Sequence, residues 1–93
     1  MIKHNQYFDG HVQSLALEGH DKPATVGVMA KGEYAFGTDT PERMEVVSGE
    51  LIVQLPDSTE WVSFTTGHGF DVPGNSKFNL KVPVDTAYYC VYG

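Results

Sequence analysis

The residues suited to chemistry are few. Glu42 stands in Pro41-Glu42-Arg43-Met44, and alternation puts Met44 on its face of an extended segment. A carboxylate so placed can steady developing positive charge or accept hydrogen bonds from hydroxyls and ring N–H groups. The four histidines, His4, His11, His20 and His68, share no metal-ligand spacing and read as surface residues. The single cysteine, Cys90, lies in Ala87-Tyr88-Tyr89-Cys90-Val91-Tyr92. A thiol can be a nucleophile, but this apolar run makes a buried, inert one. No Gly-rich phosphate loop ending in Gly-Lys-Ser/Thr, zinc-spaced Cys or His pair, or Gly-x-Ser-x-Gly elbow is present.

The elements that must position these groups are strands. His11 to Leu17 alternates Val12, Ser14 and Ala16 against Gln13, Leu15 and Leu17. Thr25–Ala30, Glu33–Thr38, Arg43–Val47, Glu50–Leu55, Trp61–Phe64, Phe70–Val72, Phe78–Val82 and Tyr88–Val91 follow. Turn residues separate them, with Ser48-Gly49 closing a hairpin that sets Leu51, Val53 and Leu55 on one face. Gly and Pro recur at short intervals, and no helical stripe survives between them. The spacing predicts an all-β fold of about eight short strands, a sandwich or closed barrel. Glu18–Pro23 is the expected mobile loop.

The 93 residues form one expected domain, 1–93. Hydrophobic residues make up 41% and charged residues 19%, a globular balance. Six Lys and Arg stand against twelve Asp and Glu, a net charge of −6. Such a chain is not built to displace counterions from a nucleic-acid polymer or to sit on an anionic membrane. No apolar run approaches a bilayer span, and the start resembles no signal peptide. One cysteine permits no internal disulfide, so the cytoplasm is the expected compartment.

Two segments resemble cupin motifs. Pro41 to Leu51 resembles the second half of the first motif, with Glu42 and Gly49 at its Glu and final Gly. Gly67 to Gly74 resembles the start of the second, through Gly67 and Pro73. In a cupin the His and Glu positions point into a small antiparallel barrel of jelly-roll type and hold a metal. Here the three histidine positions carry Phe36, Thr38 and Phe78. One carboxylate without imidazoles does not hold a transition metal tightly, so a metal-free cupin-like barrel with no cofactor is expected. Phe36, Thr38, Glu42, Met44 and Phe78 would then face the interior. Two aromatic faces, a hydroxyl and a carboxylate suit a flat ring carrying hydroxyls or N–H groups. Equally, Phe36, Met44 and Phe78 could simply plug the barrel. An unpartnered buried carboxylate is costly, and burial should raise the pKa of Glu42.

The whole chain resembles the small cupin-fold pyrimidine/purine nucleoside phosphorylases of bacteria. The resemblance rests on Asn5-x-Tyr7-Phe8-x-Gly10-x-Val12-x-Ser14, Val26-Gly27-Val28-Met29 and Gly32-Glu33-Tyr34-x-Phe36-x-Thr38. It continues through Pro41-Glu42-x-Met44, Ser48-Gly49, Leu55-Pro56-Asp57, Trp61, Phe70-x-Val72-Pro73-Gly74-x-Ser76-x-Phe78-x-Leu80 and Cys90. It implies a broad-specificity, metal-independent pentosyltransferase that turns purine or pyrimidine nucleosides and phosphate into free base and ribose 1-phosphate. It also implies a homodimer, for which Asn5 to Val12 is a plausible contact strand.

Glu42 is then the expected catalytic carboxylate, stabilising a cation-like sugar or holding ribose hydroxyls. Phe36 and Phe78 would flank the base, and Tyr34 would line the same cavity with Thr38 and Met44. Phosphate needs cations or grouped N–H donors. Alternation turns Arg43 and Lys77 away from the interior, which leaves His68, Asn75 and Ser76, or a partner subunit, as candidates. The rival expectation is a non-catalytic, metal-free cupin barrel that binds a small aromatic or sugar ligand, since fold alone does not confer catalysis.

Overall fold

Period-two alternation folds into ten strands in a computed structural model that describes residues 1–93. They are β1 (His4–Tyr7), β2 (Val12–Leu17), β3 (Ala24–Met29), β4 (Gly32–Thr38) and β5 (Glu42–Ser48). β6 (Glu50–Gln54), β7 (Val62–Thr65), β8 (Gly69–Val72), β9 (Ser76–Val82) and β10 (Thr86–Tyr92) complete the set. No helix forms, so none is long and apolar enough to cross a membrane.

The strands make two antiparallel sheets, β1-β2-β3-β10-β5-β8 and β4-β9-β6-β7. The expected barrel is realised as two sheets with no ladder between them, so β1 and β8 are edges of one and β4 and β7 of the other. Their inner faces enclose a cluster of 14 buried apolar residues, among them Val12, Met29, Met44, Leu51, Val53, Phe70, Phe78 and Leu80. Alternation explains the membership: Leu51 and Val53 face in and are buried, while Ile52 between them is only partly so. β10 joins the halves of the larger sheet, pairing β3 on one side and β5 on the other.

β1 is the strand that alternation does not announce. His4-Asn5-Gln6-Tyr7 carries no core residue, and its ladder to β2 holds it instead. The turn after it is unusual, because Phe8 (φ 53°) and Asp9 (φ 56°) are left-handed without being glycine, and Gly10 follows at 85°. Contact compensates the strain. The Phe8 ring packs on Tyr34 (5.1 Å between centroids) and Phe36 (5.3 Å), so this turn bridges the open gap between edges β1 and β4.

Candidate functional site

Glu42 opens β5 on the face shared with Met44 and Val46, directed between the sheets. Other acidic strand residues, Glu33, Glu45, Glu50 and Asp71, fall on the opposite parity from their buried neighbours Tyr34, Met44, Leu51 and Phe70. Glu42 is therefore the inward carboxylate of the strands. Its Oε1 accepts from the Cys90 thiol at 3.5 Å. The register explains the meeting: Glu42 pairs with Tyr92 and Met44 with Cys90, which makes Cys90 the diagonal neighbour of Glu42 on one face. Burial pushes the Glu42 carboxyl above its ordinary value, donation from Cys90 pulls it part of the way back, and the charge of Asp39 raises it again.

The Glu42 end of the larger sheet carries a polar row within an otherwise apolar interior. Cys90 is fully buried, and burial with the nearby Glu42 charge pushes its thiol up to about 12. Tyr92 Oη shares a hydrogen bond with Thr25 Oγ1 at 3.0 Å. Burial raises the Tyr88 phenol to about 12, with Ser14 lowering it in part. Asn5 Nδ2 donates to Ser14 Oγ at 3.4 Å. No buried side-chain N or O atom is left without a partner.

The expected aromatic residues do come together. Phe36 stacks on Phe78 at 5.8 Å, and Phe78 meets Phe70 edge-on at 6.1 Å. Phe78 and Met44 are core residues, 1% and 5% exposed, whereas Phe36 is only partly buried, with Phe8 edge-on against it at 5.3 Å. The Tyr34 ring faces inward, but its hydroxyl donates to Ala30 O at 2.6 Å, at the opposite end of β4 from Thr38. The Thr38 hydroxyl is a clasp. It donates to Pro73 O at 2.6 Å and accepts from Ser76 N at 3.1 Å.

The three phosphate candidates separate. Asn75 lies in the β8–β9 turn and Ser76 opens β9, both at the Glu42 end, but Asn75 N already donates to Asp39 O and Ser76 N to Thr38 Oγ1. Ser76 Oγ donates to Gly74 O. His68 precedes β8, whose Gly69 pairs with Glu45 and Val72 with Glu42, so His68 sits at the far end of the strand pair. Arg43 is held on the outer face by Asp71 at 3.2 Å and Glu45 at 3.7 Å, and Lys77 is exposed. The remaining histidines, His4, His11 and His20, are exposed, and no three His, Cys, Asp or Glu side chains gather as a metal-ligand set.

Sequence reasoning missed Cys90 and Tyr92 as neighbours of Glu42, and Thr25 as the anchor of Tyr92. The alternation of β10 sets Tyr88, Cys90 and Tyr92 on one face, a signal that was available. What brings that face to Glu42 is pairing over 48 residues of separation.

The pyrimidine/purine nucleoside phosphorylase family model matches residues 2–92. A Saccharophagus degradans protein named pyrimidine/purine nucleoside phosphorylase is 62% identical over 99% of this chain and 98% of its own. A Shewanella halifaxensis protein of the same name is 54% identical over 100% of both. Among solved structures, a Vibrio parahaemolyticus protein of unknown function superposes with a TM-score of 0.96 at 48% identity, covering 100% of this chain and 99% of that one. A cupin from Shewanella frigidimarina shares the fold at a TM-score of 0.77 and 21% identity, over 99% and 81% of the two chains. With its full length matched at this identity, the chain belongs to the pyrimidine/purine nucleoside phosphorylase family.

Proposed function

We propose that this chain is a nucleoside phosphorylase, a pentosyltransferase acting on purine and pyrimidine nucleosides. The N-glycosidic bond breaks, a phosphate oxygen bonds to the anomeric carbon, and free base and α-D-ribose 1-phosphate leave. The observation that carries this reading is the end-to-end identity with relatives bearing that name. Glu42 supports it physically. Its carboxylate faces the space between the sheets, where it stabilises the cation-like sugar of the transition state or holds ribose hydroxyls. The exposed part of Phe36, backed by Phe78, supplies a stacking surface indifferent to base edges, which suits both base classes. Asn75 and Ser76, beside Glu42, are better placed for phosphate than His68.

The reaction needs no metal on this reading, because Glu42 and Cys90 offer one carboxylate and one thiol, short of a ligand set. The chain works as one domain, in the cytoplasm, and pairs with a second copy. Support for pairing comes from the outer face of β2 and β3, where Leu15, Leu17, Val26 and Val28 are each at least 37% exposed. A concavity of about 500 Å³ lies over the same face. The test is base release from uridine and adenosine with and without phosphate, followed by chromatography. Release only with phosphate is expected, and none from folded protein overturns the reading.

A further inference from the structure

Glu42 is held in an unusual way. Carboxylates that must stay fixed and charged are ordinarily gripped by arginine or by several N–H groups, which stabilise the anion strongly. Here the one side-chain partner is a thiol, a weak donor, fully buried and 3.5 Å away. The thiol is itself confined. Tyr92, the next inward residue of β10, has its hydroxyl anchored on Thr25 at 3.0 Å. Met44, paired with Cys90 in the ladder, is buried beside it.

We propose that Cys90 is a positioning residue for the Glu42 carboxylate: its buried thiol donates to Oε1 and holds the carboxylate facing the space between the sheets. The inference rests on the reading of Glu42 as the carboxylate of phosphorolysis. It explains why a buried thiol sits in an otherwise phenolic and apolar strand. A lone carboxylate in this setting would swing toward water or take up a proton. The weak donor keeps it oriented while leaving its remaining lone pairs to the sugar. The titratable groups facing Glu42 are Asp39 from the β4–β5 connection and Tyr88, Cys90 and Tyr92 from β10, while β8 contributes apolar Val72.

The experiment compares wild type, Cys90→Ala, Cys90→Ser and Glu42→Gln. One readout is the pH profile of kcat/KM for uridine, and the other is carbon-13 NMR titration of the Glu42 side-chain carboxyl, identified as the resonance lost in Glu42→Gln. Cys90→Ala removes the donor, so the acid limb and the NMR midpoint should both rise by about half a pH unit or more. Cys90→Ser keeps a donor of similar size, so both should stay at or below the wild-type position. A Cys90→Ala protein that is folded but leaves the NMR midpoint unmoved overturns the proposal and makes Cys90 core filling. Full activity in Glu42→Gln instead removes Glu42 from the mechanism, and the NMR titration still decides whether Cys90 holds it.

Discussion

The phenol of Tyr88 occupies the space that a side chain at Gly27 would take. A Cβ built on Gly27 would lie 2.5 Å from Tyr88 Oη, 2.6 Å from its ring carbon and 2.7 Å from the carbonyl oxygen of Gln13. Gly27 pairs with Tyr88 across β3 and β10, so the missing side chain is what lets the phenol lie across the strand toward Ser14. Gly27→Ala should therefore lower stability by roughly 1–3 kcal/mol, measured by urea denaturation. A variant as stable as wild type would show that Tyr88 has room elsewhere.

Glu42→Gln preserves shape and removes charge. Its turnover should fall by more than about tenfold, a barrier increase of about 1.4 kcal/mol or more, with the circular dichroism spectrum unchanged. Stability should move with pH as well. Because burial raises its folded pKa, Glu42 contributes stability that is full below the ordinary carboxylate value and lost as pH rises through the raised one. Thermal melts should thus favour Glu42→Gln over wild type increasingly toward neutral pH.

Phe36 and Phe78 stack on each other yet should fail differently when truncated. Phe78 is 1% exposed, so Phe78→Ala should cost about 3–5 kcal/mol of stability by opening a cavity. Phe36 is partly exposed, and Phe36→Ala should raise the KM for nucleosides in proportion to about 1–3 kcal/mol of lost base stacking. Steady-state kinetics on protein shown to be folded separates the two. An unchanged KM in Phe36→Ala would assign that ring to packing alone.

The alkaline limit of stability should trace to β10. The Cys90 thiol, ordinarily near 9.0, is pushed up to about 12 when folded, so its contribution is full below pH 9 and lost through pH 12. Cys90→Ser should lose less stability than wild type between those values in melts at fixed pH. Parallel curves would point to the tyrosines.

Pairing of two copies is tested on the outer face of β2 and β3. Val26→Lys combined with Val28→Lys places two charges at positions 42% and 51% exposed, where a monomer tolerates them. Light scattering should show a dimer for wild type and a monomer for the variant. A monomeric wild type removes the second copy from the description.

Much of this was legible in the sequence. Alternation set Glu42, Met44 and Val46 on one face of β5 and turned Arg43 outward. It also put Phe36 and Phe78 on inward faces, and the register now shows them directly opposite. β1 escaped because His4-Asn5-Gln6-Tyr7 has no apolar face to read. Ala24 and Thr25 are both buried in succession, so the strand rule concealed the Thr25 hydroxyl. The position of His68 was out of reach because it depends on the Gly69–Glu45 pairing and not on parity. The Glu42–Cys90 meeting requires the β5–β10 register, including the irregularity between Ala87 and Tyr88.

The place of β10 has a consequence for synthesis. The strand that comes last in the chain lies in the middle of the six-stranded sheet, between β3 and β5. A nascent chain lacking it holds β1-β2-β3 and β5-β8 as separate pieces, with two unpaired edges where the joint should be. Tyr88, Cys90 and Tyr92 ride on that same strand. Completion of the sheet and assembly of the polar row around Glu42 therefore coincide, and a ribosome-bound fragment short of β10 has neither.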